Sequence, residues 1–450
     1  MTTAEHSGAD RHASWLELFF DLVVVAGIGT LAHLLHADHG PEGLALYAIA
    51  FVAFWLVWAC FTTYSNIAGE ATRARPMLLG MAALAVMMAA VPEINGEHAT
   101  AFSIAYVIGR ILASRPFQRG TVVLDLPVVQ ALGGVVPWMV SWWFDGSVVY
   151  ILWAIGLAID VGVLLLISGP RLAQNAQEHL DGLRDRIDGG ERRGRAVRRD
   201  AARPGRRSRA GRGPGEGADL LGSGRGRDPR RGDRDLPETV STLAGDEAHL
   251  GERLGLFVII VLGEGMIQAV AAAGEATWDR DLLLAGAGTF ALLVTLWALA
   301  VRGGYAGVAL LGTGAVSPRV AWPLHLVTTG ALATLVAVLG GVLAEPGESL
   351  TADVRWLLLV AFGLYGLVGA VVHLVLGIRR DDPRGRQTAL LLAVPTIVAG
   401  VVIVVAGDRL AAVGQVWVLA AALLVSYAGS VRVSPRPADT GAPGLGSPMA

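Results

Sequence analysis

Six polar side chains interrupt long apolar runs and are the residues whose types could do chemistry: Glu17, Asp21, Arg110, Asp160, Glu264 and Gln268. Glu17 and Asp21 are four residues apart, and Gln268 follows Glu264 by four, so a helix places each pair on one face. A charged side chain at the centre of a bilayer costs about 2.5 to 3.5 kcal/mol on insertion scales. We therefore predict that these residues form an intramembrane polar site.

Two interpretations of this polar site are consistent with its chemistry. In the first, Arg110, the one deep cation that the sequence suggests, pairs with an acid, and the other acids hydrogen-bond between helices. In the second, acids near the midplane bind a cation or relay protons along a pathway for an ion, a proton or a small solute. The histidines at 33, 36, 325 and 373 lie near span ends, where snorkelling toward the interface is the ordinary explanation.

Enzyme chemistry has no positive support in the sequence. A single cysteine, Cys60, excludes a disulfide within the chain and a zinc or iron–sulfur centre built from its thiolates. No His/Glu spacing matches a zinc protease, and the glycines are too scattered for a phosphate-binding loop. We predict no catalytic residues, no metal site and no cofactor.

Membrane helices are the elements that must position the polar residues. Of 450 residues, 53% are apolar and 16% charged, with a mean hydropathy of +0.54, which argues against a soluble protein. A span needs about 20 apolar residues. This template predicts an all-α integral membrane protein of about twelve transmembrane helices, at 15–36, 44–64, 76–92, 100–114, 126–143, 148–168, 254–273, 282–301, 320–343, 356–376, 389–407 and 414–431.

Arginines in the tails and short loops alternate between the two sides of the predicted bundle. One side carries thirteen of them and the other three. Arginine resists translocation, so the arginine-rich side is predicted to be cytoplasmic, together with both termini. All 36 basic residues are arginine, a coding bias typical of a GC-rich bacterium. The expected location is therefore the bacterial inner (plasma) membrane, in which the chain is a multi-pass protein.

Five segments are predicted along the chain: a cytoplasmic tail at 1–14, a six-helix half at 15–173, a disordered cytoplasmic insert at 174–248, a second six-helix half at 249–431 and a disordered tail at 432–450. Six spans is an even number, so both halves would enter the membrane in the same direction. Two parallel halves are therefore one possible arrangement.

The insert at 174–248 contains seventeen arginines between Arg184 and Arg234 and few large apolar residues, so it cannot bury enough surface to fold alone. We expect it to lie near anionic lipid headgroups. Nucleic-acid binding is disfavoured, since no aromatic residue is available to stack on bases. A shifted reading frame in GC-rich DNA is a third explanation for the composition.

Two strings resemble the bacterial low temperature requirement protein A family: WLELFFDLVVVAGIGTLAHLL at 15–35 and HLGERLGLFVIIVLGEG at 249–265. FWLVWACFTTYSN at 54–66, AYVIGRI at 105–111, LWAIGLAIDV at 152–161 and RWLLLVAFGLYGLVGAVV at 355–372 extend the similarity. The resemblance implies a polytopic bacterial membrane protein linked to growth at low temperature, and it assigns no catalytic residue. The insert is longer than the family pattern leads us to expect.

Two functions from different classes are consistent with these observations. The leading hypothesis is transport of an ion, a proton or a small solute in support of cold tolerance, with the lipid bilayer as environment and the substrate unassigned. The alternative is a non-transporting membrane protein that adjusts bilayer or partner behaviour under cold stress, in which the same acids only hold helices together.

Overall fold

The structure is a computed structural model that describes residues 12–117, 121–201, 239–303 and 316–433. These residues form thirteen α-helices and one pair of short strands. The helices up to the insert are α1 (Trp15–Ala37), α2 (Pro41–Ala68), α3 (Ala74–Ala90), α4 (Ala99–Ser114), α5 (Val135–Val140), α6 (Ser147–Leu166) and α7 (Gly169–Ala201). Those after it are α8 (Glu247–Glu275), α9 (Arg280–Gly303), α10 (Pro318–Ala344), α11 (Ala352–Arg379), α12 (Pro383–Ala406) and α13 (Ala412–Val433). The predicted all-α fold class is confirmed.

Local sequence signals explain where two central helices begin. At the start of α1, the Ser14 hydroxyl accepts the Glu17 N–H at 3.3 Å, and the Glu17 carboxylate accepts the Ser14 N–H at 2.8 Å. This reciprocal pair is a capping box. At the start of α8, the Asp246 carboxylate accepts the N–H groups of Ala248 and His249. Both caps fix the first turn of a helix that carries buried charged residues.

The described residues contain ten helices long and apolar enough to span a bilayer: α1, α2, α3, α6 and α8 to α13. A further apolar helix, α4, has 16 residues. The helix predicted at 126–143 is broken into a 3-10 turn at Pro127–Val129, the six-residue α5 and a second 3-10 turn at Ser141–Trp143. Pro137, in the interior of this range, lacks the N–H that a continuous helix requires. Twelve continuous transmembrane helices are therefore not confirmed.

The broken segment nevertheless connects the two ends of the bundle. At one end, β1 (Thr121–Val123) pairs in parallel with β2 (Ser241–Leu243), which lies just before α8. At the opposite end, the Tyr150 hydroxyl near the start of α6 donates to the Ile94 carbonyl, between α3 and α4. The chain from β1 to α6 therefore makes the crossing expected of a fifth helix. We call the end with β1 and β2 the inner end and the opposite end the outer end.

The six crossing segments of each half pack on one another in the same pattern. In the first half α1 contacts α2 and α3, α3 contacts α4, α4 contacts α5, and α6 contacts α5 and α2. In the second half α8 contacts α9 and α10, α10 contacts α11, α11 contacts α12, and α13 contacts α12 and α9. Two parallel six-segment halves would give this shared pattern. The halves meet where α1 contacts α8 and α10.

Part of the insert predicted to be disordered is ordered. Residues 174–201 belong to α7, and β2 lies within the predicted range of 174–248. The strand is held in place because the Leu124 N–H donates to the Leu243 carbonyl at 2.9 Å. Predicted disorder at 202–238, in most of the 1–14 tail and at 434–450 falls outside the described residues.

Large apolar side chains cover the outer faces of the long helices. Along α12 they are exposed at 390, 394, 397, 398, 401, 404 and 405. An apolar outer surface of this kind is unfavourable in water and requires a lipid bilayer around it. The core between the helices is also apolar. The buried polar residues are therefore exceptions to an apolar core inside an apolar outer surface.

Candidate functional site

A buried ion-pair cluster joins α1, α2 and α8 near the inner end. The Asp21 carboxylate accepts from Nη2 of Arg253 at 2.5 Å and from Nε at 3.0 Å. The same carboxylate accepts from the indole N–H of Trp58 at 2.7 Å. Nη1 of Arg253 lies 3.2 Å from Glu17. All four side chains are essentially buried, so one guanidinium compensates two carboxylates within the bundle.

His249 extends this inner cluster to the end of α2. Its Nδ1 lies 2.9 Å from Oδ1 of Asn66, and its Nε2 lies 3.6 Å from Glu17. The Asn66 amide in turn donates to the Asp246 carbonyl at 3.2 Å. The start of α8 is therefore tied to both α1 and α2 by polar side chains.

A block of aromatic rings lies on the outer side of this cluster. His325 stacks on Trp58 with ring centroids 5.1 Å apart, and Phe257 packs on Trp58 at 4.2 Å. The Trp55 indole donates to Nδ1 of His325 at 3.0 Å, and Nε2 of His325 donates to the Leu254 carbonyl at 3.2 Å. Both ring nitrogens are satisfied and the side chain is fully buried, so the predicted snorkelling of His325 is wrong.

A second buried ion pair holds the broken segment against α4 and α6. Nη1 of Arg110 lies 2.9 Å from the Asp160 carboxylate, which also accepts from the Tyr106 hydroxyl at 3.2 Å. Nη2 of Arg110 donates to the carbonyls of Val128 and Ala131 at 3.0 and 3.1 Å. These carbonyls belong to the unwound stretch, where helical partners are missing, so Arg110 satisfies acceptors that would otherwise be unpaired.

The carboxylate of Asp125 fastens the inner end of the broken segment to the strand region before α8. It accepts the Gly245 N–H at 2.6 Å. Burial raises the pKa of Asp125 above its ordinary value of 3.8, the nearby Glu247 acts in the same direction, and the Gly245 hydrogen bond opposes both. This carboxylate is therefore a pH-dependent contact outside the membrane-spanning helices.

Glu264 and Gln268 lie apart from both ion pairs, in a cavity of about 1130 Å³ bounded by α1, α8 and α10. Gln268 donates to Glu264 at 3.2 Å. Glu264 lies eleven residues, about 16 Å, before the end of α8, so the cavity reaches well into the bundle. Its mouth at the outer end includes His39, Glu345 and Glu348.

The six predicted polar residues therefore divide into three groups. Arg110 pairs with Asp160, as the first interpretation of the sequence anticipated for one of the acids, and Glu17 lies beside Asp21 in the inner cluster. Glu264 and Gln268 alone reach the cavity. Whether any of these residues forms a functional site stays a prediction.

Sequence reasoning missed Arg253 as a deep cation. The predicted seventh span begins at 254, whereas α8 begins at Glu247 and buries Arg253 completely. The available signal is Asp246, a helix N-cap residue type seven positions before Arg253, which predicts an earlier start of the helix. His33 and His36, for which the sequence predicts snorkelling toward the interface, both line the cavity. In the described residues, no group of three His, Cys, Asp or Glu side chains is arranged to hold a metal ion.

Comparison with known proteins identifies the family. The model of the bacterial low temperature requirement A protein (LtrA) family matches residues 12–429. The chain belongs to this family. The match includes both halves of the bundle, the inner cluster and the cavity, and it confirms the resemblance seen in the two sequence strings. No curated protein and no solved structure matches the chain. Membership of the LtrA family and the ten spanning helices together make the chain a multi-pass bacterial membrane protein.

Proposed function

We propose that this LtrA-family protein moves an ion, a proton or a small solute across the bacterial membrane in support of growth at low temperature. The observation that carries the proposal is the cavity, whose lining extends from His39 and Glu348 at the outer end to Glu264 deep in α8. An ionisable side chain at membrane depth, accessible from one side, is the usual mark of a substrate or proton pathway. The role needs no covalent chemistry, in keeping with the expectation that the chain is not an enzyme.

The position of the cavity supports transport. It lies between α1 and α8, the first helices of the two halves, and α10 and Met88 of α3 contribute the corresponding third helices. Transporters built from repeats bind substrates near the bilayer midplane at the interface between the repeats. The cavity occupies that interface.

Buried side chains lie between the cavity and the inner cluster. Along α8, Phe257 of the aromatic block lies between Glu264 and Arg253 of the inner cluster. A conformation open only at the outer end is one of the two states that alternating access requires. The arginine-poor loops lie at the outer end, so the cavity is proposed to face away from the cytoplasm. Opening toward the cytoplasm would require Arg253 to release Asp21 or Glu17.

Flux measurements in proteoliposomes test the proposal. Purified full-length protein is reconstituted, and uptake of protons, alkali cations and small amines is followed with internal dyes and radiolabelled solutes. We expect at least one flux above that of protein-free vesicles. Glu264→Gln, which keeps the side-chain volume but removes the charge, should abolish both this flux and complementation of growth in the cold. Absence of flux from folded protein that still supports growth in the cold would refute transport.

A matched control separates the cavity from general effects of charge. Glu97 is exposed in the turn between α3 and α4, outside the cavity. Glu97→Gln makes the same chemical change at the same end of the bundle, so we expect normal flux and normal growth. Equal losses in Glu97→Gln and Glu264→Gln would show that the effect does not come from the cavity.

A second candidate function is favoured by the two ion pairs. Buried charges compensate one another in two separate places, Arg253 with Glu17 and Asp21, and Arg110 with Asp160. Purely structural contacts between helices would have this arrangement. A non-transporting protein that adjusts the bilayer or a partner in the cold would show this arrangement without flux.

The arginines of 174–248 stay predicted to lie near anionic lipid headgroups. Comparison of binding to vesicles with and without anionic lipid would test this prediction.

A further inference from the structure

The ionisable groups that line the cavity favour a positively charged ligand. Four glutamates contribute, Glu264 at depth and Glu275, Glu345 and Glu348 toward the mouth. In the described part of the chain, no arginine lines the cavity to compensate them. A concave site lined by charges of one sign concentrates ions of the opposite sign. Three histidines, at 33, 36 and 39, are the other ionisable side chains of the lining.

The deep end of the cavity offers hydrogen-bond acceptors that require a donor. Oε1 of Gln268 is buried and has no hydrogen-bond partner within the described residues. The amide nitrogen of Gln268 is already engaged, because it donates to Glu264. A buried acceptor without a partner costs about 1 to 3 kcal/mol, so a ligand whose N–H group meets Oε1 when the Gln268 amide turns toward the cavity relieves that cost. The carboxylate of Glu264 is a second acceptor, within reach of the same ligand.

The walls of the cavity indicate an organic rather than a bare metal ion. No group of three His, Cys, Asp or Glu side chains in the described residues has a metal-binding arrangement. The volume of about 1130 Å³ is slightly above the range of about 300 to 1,000 Å³ that is usual for small-molecule sites, so it has room for an organic ligand. Much of the lining is aliphatic, including Ala26, Ile267 and Val338. This surface suits the carbon skeleton of a ligand and does not replace the hydration shell of an inorganic ion.

We propose that the cavity binds a primary or secondary organic ammonium group. Its N–H groups donate to Glu264 and to Oε1 of Gln268, and its carbon skeleton lies against the aliphatic wall. The proposal rests on the proposed function in treating the cavity as the substrate site. The ammonium group can come from a soluble amine or from the headgroup of an aminophospholipid, and the experiment distinguishes these sources.

Binding of n-butylammonium to the full chain tests the proposal. The protein is placed in nanodiscs of phosphatidylcholine, whose quaternary headgroup carries no N–H donor, and binding is measured by isothermal titration calorimetry. We expect n-butylammonium to bind at least tenfold more tightly than butyltrimethylammonium, and 1-butanol and Na⁺ not to bind. Equal affinity for the quaternary ion, or no binding of n-butylammonium to folded protein, would overturn the proposal.

Variants locate the binding to the cavity. Glu264→Gln should weaken n-butylammonium binding at least tenfold, while Glu97→Gln should leave it unchanged. Gln268→Leu removes the unpartnered acceptor without changing charge and should weaken binding severalfold. Should Glu264→Gln fail to fold, the Gln268→Leu result decides the matter, and unchanged affinity in that variant would overturn the assignment.

Nanodiscs that contain phosphatidylethanolamine identify the source of the ammonium group. Apparent weakening of n-butylammonium binding there indicates that a lipid headgroup competes for the site, and unchanged binding indicates a soluble amine. The outcome is separable from that of the transport proposal. Proton or metal-ion flux without n-butylammonium binding would overturn this inference and leave the transport proposal intact. Binding of n-butylammonium without any flux would overturn the transport proposal and leave this inference intact.

Discussion

Removal of either charge of the Arg110–Asp160 pair should destabilise the protein. Both side chains are fully buried, and the carboxylate accepts from Nη1 at 2.9 Å and from Nη2 at 3.3 Å. Breaking a buried pair by removing one partner costs about 3 to 5 kcal/mol, because the other charge loses its compensation. We expect Asp160→Asn to lower the free energy of unfolding by that amount.

Arg110 also donates hydrogen bonds outside the ion pair, so its replacement should destabilise the protein more than replacement of Asp160. It donates to the carbonyls of Val128 and Ala131 in the broken segment, and a buried acceptor left without a partner costs about 1 to 3 kcal/mol. Arg110→Leu should therefore be less stable than Asp160→Asn by about 1 to 3 kcal/mol for each carbonyl. The double variant Arg110→Leu/Asp160→Leu should recover the cost of the unpaired charge but not that of the carbonyls.

Reversible unfolding in SDS–detergent mixtures, followed by tryptophan fluorescence, measures these differences. Two of the twelve tryptophans report on this region, because Trp138 and Trp153 stack 4.7 Å apart and Trp138 packs on Tyr106, which donates to Asp160. Arg386→Gln is the control: its ion pair with Asp381 is exposed, and such pairs contribute about 0 to 1 kcal/mol. The reasoning is refuted if Asp160→Asn is as stable as the wild type, or if the double variant recovers full stability.

Three further predictions concern other parts of the molecule. Asp21→Asn replaces one of two carboxylate oxygens, which accept from Arg253 and Trp58, by an amide nitrogen that cannot accept, so it should lower the yield of folded protein in size-exclusion chromatography. Glu17→Gln retains a capping acceptor and should be milder. Gly29→Ala places a methyl group against the carboxylate of Glu264, so the carboxylate must turn away. We expect n-butylammonium binding to weaken severalfold while the melting temperature stays unchanged. Unchanged binding would contradict this geometry. Burial raises the pKa of Asp125, so its contribution to stability is present below the ordinary pKa and is lost as pH rises through the raised value. Asp125→Asn should flatten the stability profile above the ordinary pKa of 3.8, and an unchanged profile would exclude this group.

The sequence alone determined the membrane class, most of the spans and the family. These properties depend on composition and on runs of about 20 apolar residues, which are local features of the chain. The capping signals at Ser14 and Asp246 are local as well, since each cap acts within one helical turn. The sequence also identified the buried acids, because a charged residue inside an apolar run is unusual wherever the run packs.

Only the tertiary structure decided which charged residues pair. Arg253 lies 232 residues after Asp21, and no periodicity connects residues on helices so far apart in the chain. The break at 126–143 was visible as prolines and glycines, but its stability depends on a guanidinium from another helix, Arg110. The cavity is likewise a property of the space between α1, α8 and α10. Glu264 therefore differs from Asp21 and Asp160 only in its surroundings. An arginine pairs with each of those two acids, whereas Glu264 lines the cavity.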